Sequence, residues 1–137
     1  MGWVAEQLMA RIEQAASGLE SPTAALQAMF TAHIAFVSEH PGVPRMLFGV
    51  LQKPGPSPAK QLAQRLLETY AARLQGLIGR AKAQGEVHPE IDTRAAVMLF
   101  IGSIQGLVMQ SMMAGDILHI KRNAPGVFAL YLRGVRV

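Results

Sequence analysis

The sequence predicts an all-α domain, a bundle of about six helices, and three observations carry that expectation. Apolar residues recur at intervals of three and four along most of the chain, and no segment alternates with period two over a useful length. Serine-proline and aspartate-threonine pairs open segments that glycine then closes, as helix caps do. Finally, Ala95 to Gly115 (AAVMLFIGSIQGLVMQSMMAG) is an uncharged stretch bounded by Arg94 and Asp116, and it reads as one long central helix.

The elements follow in order. Val4, Leu8, Ile12 and Ala15 put a first helix over Gly2 to Ser17, with Trp3 a large anchor at its head and Gly18 a stop. Ser21-Pro22 opens the second helix, whose stripe is Leu26, Met29, Phe30, His33, Ile34 and Val37, and His40-Pro41-Gly42 ends it. Val43 to Leu51 is a short apolar helix. Gln52 to Pro58 (QKPGPSP) holds four breakers in seven residues and is a loop. Ser57-Pro58 then opens the longest amphipathic helix, with Leu62, Leu66, Tyr70, Leu74, Leu77, Ile78 and Ala81 on one face and Gly85 at its end. Glu86 to Ile91 connects, and Asp92-Thr93 caps the central helix. After Gly115, Ile117 to Ile120 is a short apolar piece, and Asn123-Ala124-Pro125 opens a last helix ending near Gly134.

The central stretch is long enough to cross a membrane, and Gly102 and Gly106 have a small-xxx-small spacing. Against a span, Ser103, Gln105, Gln110 and Ser111 lie all around its circumference, and no aromatic belt or second span accompanies it. A soluble core helix is the expectation. Wound at about 100° per residue, Val97, Phe100, Ile104, Leu107 and Val108 form a bulky face suited to a core. Ala95, Leu99, Gly102, Gly106 and Met113 form a slimmer one, suited to close approach of another helix, including one from a second subunit.

The 137 residues fit one domain. Half are hydrophobic and 16% are charged, a surplus of apolar surface for which oligomerisation is the simplest outlet. Net charge is +4, yet the basic residues are dispersed from Arg11 to Arg136, unlike the clusters that hold phosphates. With no cysteine there are no disulfides or thiolate metal sites. The N-terminus lacks a signal peptide's basic flank and apolar run, so a cytoplasmic protein is expected.

Catalytic and metal chemistry find little support. The histidines His33, His40, His88 and His119 lack the i, i+3 or i+4 pairing of a zinc site. Glu86, Glu90 and Asp92 suit helix capping better than paired-carboxylate catalysis. Gly76 and Gly79 lack the Lys-Ser/Thr ending of a phosphate loop, and no serine has a G-x-S-x-G context. No enzyme, metal or cofactor is expected. His33 is a polar group on an apolar stripe and has two readings: a core histidine bonded to a backbone carbonyl, or a ligand contact. The methionines in the apolar helices fill a core or line an adaptable binding surface.

Three stretches resemble the C-terminal domain of TetR-family transcriptional regulators. They are Ala25 to Gly42 (ALQAMFTAHIAFVSEHPG), Leu74 to Thr93 (LQGLIGRAKAQGEVHPEIDT) and Ala95 to Gln110 (AAVMLFIGSIQGLVMQ). The second holds a long helix ending in Gln-Gly-Glu before Ile-Asp starts the next; the third has Gln-Gly-Leu in mid-helix. The family's helix-turn-helix head has no match here: no Gly-Val-Ser turn, no Tyr-Phe, no basic recognition helix. The resemblance therefore implies that residues 1–137 are the effector-binding and dimerisation domain, with residues 1–19 resembling the connecting helix. DNA would be read only by a head domain absent from this chain.

The expected function is thus to sense a small, largely apolar ligand and to form a homodimer. The alternative is a helical homodimerisation module with a packed interior and no ligand. For the ligand, Met29, His33 and Phe36 are expected to face Leu66 and Tyr70, with Met46 and Phe48 covering one end and Ile101 and Gln105 as floor. For the dimer, Leu99, Gly102, Gly106 and Met113 of the central helix are expected to pair with Val127, Leu130 and Tyr131 of the last, as a four-helix bundle across a two-fold axis.

Overall fold

Helix ends fall largely where local capping chemistry puts them. The computed structural model describes residues 2–137, and among these it contains six helices: α1 (Gly2–Ala16), α2 (Pro22–Glu39), α3 (Gly42–Gln52), α4 (Pro58–Ala83), α5 (Thr93–Ala114) and α6 (Leu118–Val135). Ser21, Ser57 and Asp92 each accept a hydrogen bond from the backbone N–H three residues on, and proline follows both serines at the first helical position. Gly115 closes α5 at φ 69°, a left-handed conformation that a side chain would resist. Glu86 adds a cap from a distance. Its Oε1 accepts from the Thr23 backbone N–H, the Thr23 hydroxyl and the Ser21 hydroxyl, at 3.0, 2.6 and 2.8 Å. These bonds tie the α4–α5 loop to the start of α2 and hold the Glu86 carboxyl below the usual glutamate range.

α2 lies at the centre and packs against α1, α4, α5 and α6. Its long apolar stripe meets α5 and α6 in an aromatic cluster, where Phe30 lies 5.5 Å from Phe100 and 5.0 Å from Phe128 between ring centres. The bulky side of α5 (Val97, Phe100, Ile104, Leu107 and Val108) is buried there. α5 is long and apolar enough to cross a membrane, by length and composition, but only one side of it is enclosed by the rest of the chain. The other side, from Ala95 through Gly102 to Met113, is largely exposed.

The last helix departs from the sequence expectation. Ile117 to Ile120 is not a separate apolar piece; α6 begins at Leu118 and runs straight through Pro125. A proline inside a helix removes one backbone hydrogen bond and crowds the preceding turn. Tertiary packing outweighs this, because the buried stripe Ile120, Ala124, Phe128, Tyr131 and Val135 continues without a break across the proline. Asp116 steadies the start by accepting from the Leu118 N–H at 3.0 Å and from Arg122 at 2.8 Å.

Candidate functional site

α3 is the element that explains the site. It is strongly one-sided, yet Pro44 is its only fully buried residue. Val43, Pro44, Leu47, Phe48 and Leu51 fall on one helical face, and all of them line a cavity of about 220 Å³, with Pro44 buried and Val43 and Phe48 packed in part against the core beside it. The opposite wall comes from α2 (His33, Phe36, Val37) and α5 (Ile101, Ile104, Gln105, Val108). The N-terminal half of α4 supplies Ala63, Gln64, Leu66, Leu67 and Tyr70, and α1 supplies Val4 and Leu8. Of the lining residues, Leu51, Gln64, Leu67 and Gln105 are exposed, so Gln105 lies at the cavity's edge and not on the expected floor.

Its lining is apolar except at a few points. His33 Nδ1 and the Tyr70 hydroxyl are 2.9 Å apart, and their rings lie 5.4 Å apart at centre. Burial depresses His33 to a pKa of about 4 and raises the Tyr70 phenol above its ordinary value, so both are neutral near pH 7. Gln64 and Gln105 are the other polar side chains of the wall, and among the described residues no charged side chain lines it.

His33, Phe36, Phe48, Leu66, Tyr70, Ile101 and Gln105 are brought together here. Met29 and Met46 are not. Met29 lies one helical turn before His33 and is enclosed in the core, while Met46 points off the cavity face of α3 and is exposed. His33 bonds to a side-chain hydroxyl, not to the backbone carbonyl that the core reading supposes. The lining residues that sequence reasoning missed include Val4, Leu8, Val43, Leu47 and Leu51. The i, i+4, i+8 spacing of the last three was the available signal, since it marks a helix side that must face something apolar.

On the second face, Leu99, Leu130 and Met113 are 56%, 69% and 81% exposed. Gly102 is exposed and Gly106 and Val127 are half-buried. Apart from the adjoining backbone of its own helix, a Cβ at either glycine would meet no described atom within 4 Å, so no other element of the described chain requires glycine there. Tyr131 turns the other way. It is buried, its hydroxyl donates to the Ala96 carbonyl at 2.9 Å, and its ring packs against Phe100 and Phe128, because it falls on the core stripe of α6. Of the remaining acids of the α4–α5 loop, Asp92 caps a helix, accepting from the Ala95 N–H at 3.1 Å, while the Glu90 carboxylate makes no capping bond among the described residues. No group of three or more histidine or acidic side chains able to hold a metal occurs among the described residues.

A family profile described as "Tetracyclin repressor-like, C-terminal domain" matches residues 22–127. Among solved structures, a TetR transcriptional regulator from Chloroflexus aurantiacus superposes with a TM-score of 0.83 at 16% identity, covering 99% of this chain and 70% of that one. A TetR family transcriptional regulator from the same organism gives a TM-score of 0.60 at 16% identity, covering 98% and 71%. At such identity the likeness speaks to fold alone. No curated protein sequence matches the chain.

Proposed function

Because the chain belongs to the tetracyclin repressor-like C-terminal domain family of non-enzymatic transcriptional regulators, we propose that it senses a small, largely apolar effector in the α1–α5 cavity and dimerises through α5 and α6. One observation carries the first half: the apolar face of α3 is spent on a cavity wall. A helix with that much apolar surface and so little protein to bury it against is best explained by a ligand that completes the packing. The alternative of a packed interior leaves Leu47 and Leu51 of that face without a partner in the core, which only Val43 and Phe48 reach. Support for the dimer comes from the exposed stripe of α5 and α6 and from two glycines that only an outside helix would use.

In this reading DNA is contacted by a helix-turn-helix head outside these 137 residues, and α1 is the connecting helix, acting in the cytoplasm. Val4 and Leu8 touch the cavity, so a bound effector would contact α1 directly. The cavity is tested by filling it. A panel of small neutral apolar compounds is expected to raise the melting temperature of the wild type, and Ala63→Phe, which places a ring in the cavity, is expected to abolish every such shift. A panel without effect on the wild type, or shifts that survive in Ala63→Phe, would remove the cavity from consideration.

A further inference from the structure

The cavity's polar atoms restrict what it can hold. His33 and Tyr70 together carry two hydrogen-bond donors, because the imidazole is neutral and bears one N–H. The 2.9 Å bond between them uses one of the two, whichever tautomer is present. If the tyrosine hydroxyl donates to Nδ1, the N–H remains on Nε2; if Nδ1 donates, the tyrosine proton remains and Nε2 is bare. Either way the pair retains one donor and at least one acceptor. A hydroxyl group matches that demand, since it donates and accepts at the same time. A carboxylate does not, because it only accepts; the amides of Gln64 and Gln105 can donate to one but carry no charge, and no lysine, arginine or charged histidine among the described residues lines the wall to offset its own. Burying an ionised group without such a partner is costly.

Size adds a second limit. An engineered apolar cavity of about 150 Å³ accommodates benzene. By that standard the 220 Å³ available here suits a ligand of roughly nine non-hydrogen atoms.

We propose that the effector is an uncharged alcohol or phenol of about this size, its hydroxyl seated on the His33–Tyr70 pair and its hydrocarbon part against α3 and α4. This rests on the effector-site reading above and is separable from it. Isothermal titration of the wild-type chain at pH 7.5 with 1-octanol and with octanoate compares one tail carrying two heads. Octanol is expected to bind at least tenfold more tightly. Tyr70→Phe should weaken octanol by about five- to tenfold, the loss of one ordinary hydrogen bond. Octanoate binding as tightly as octanol would overturn the proposal while leaving the effector site standing. Binding of neither would overturn both. Preferred octanol binding that Tyr70→Phe leaves unchanged would overturn the seat of the hydroxyl.

Discussion

An imidazole held inside a helix bundle without a counter-charge resists protonation, and His33 has a pKa of about 4 for that reason, against 6.5 in an open chain. The unfolded chain therefore binds a proton at this residue before the folded chain does. Where the unfolded state holds more protons, stability rises with pH. The contribution is complete above pH 6.5 and is lost as the pH falls from 6.5 toward 4, with no further change below. Its ceiling is on the order of 3 kcal/mol, from 1.36 kcal/mol per pKa unit. Carboxyls such as Glu86, whose pKa is lowered by its hydrogen bonds to Thr23 and Ser21, withdraw their own support lower in the acid range. His33→Gln separates the two, since glutamine can still bond to Tyr70 but does not titrate. Urea unfolding from pH 7 to pH 4.5 should show a shallower loss for His33→Gln than for the wild type; parallel curves would refute the assignment. That His33 departs from its stripe was legible in the sequence. Its partner was not, because a contact between residues 37 apart is set by how two helices rotate against each other.

Two helices carry expectations of their own. α3 fixes few of its side chains against protein, so its amides are expected to exchange faster than those of α2 or α5 and to gain protection when the cavity is filled. Hydrogen exchange read by mass spectrometry, with and without a cavity ligand, would show this; protection equal to α2 in the unliganded chain would contradict it. For α6, Pro125→Ala restores an N–H to a helix interior at an exposed position. It is expected to stabilise the fold by up to about 3 kcal/mol, the usual penalty of an internal proline. A thermal midpoint that stays put or falls would mean that the helix is already deformed around the ring. These helices also mark the limit of reading structure from sequence. Caps at Ser21, Ser57 and Asp92 were visible because a cap is a local bond between near neighbours. The start of α6 was not, since Asn123-Ala124-Pro125 is a genuine local opening signal overruled by a buried stripe that begins at Ile120. The cavity wall was half visible for a similar reason: periodicity shows which side of α3 is apolar, but not whether that side meets protein or space.

For the molecule as a whole, the question is what covers the exposed side of α5. Met98, Leu99, Met109 and Met113 stand on it with Gly102 and Gly106 between them, and Leu130 of α6 stands alongside. Glycine inside a helix costs about 1 kcal/mol relative to alanine, and neither residue offsets this within the chain, since a Cβ at either would meet no described atom within 4 Å beyond the adjoining backbone of its own helix. A second copy would repay it, because bare backbone lets two helices come close and the flanking side chains then lose water on both sides. Stable interfaces bury roughly 1,600 Å² in total, and permanent homodimers often more, which two helices from each chain can supply. Gly106→Ala and Gly106→Leu test the idea in complementary ways. For an isolated chain both substitutions improve the helix and the Cβ of each finds room, so Gly106→Ala should raise the melting temperature and neither should change the mass. For a dimer that packs on the glycines, Gly106→Leu wedges the helices apart, while Gln75→Ala, on the exposed side of α4, does nothing. Light scattering at micromolar concentration should give the mass of two chains for the wild type and for Gln75→Ala, falling toward one for Gly106→Leu. A monomeric wild type would end the proposal, and a Gly106→Leu variant that remains dimeric would move the contact off the glycines and onto α6.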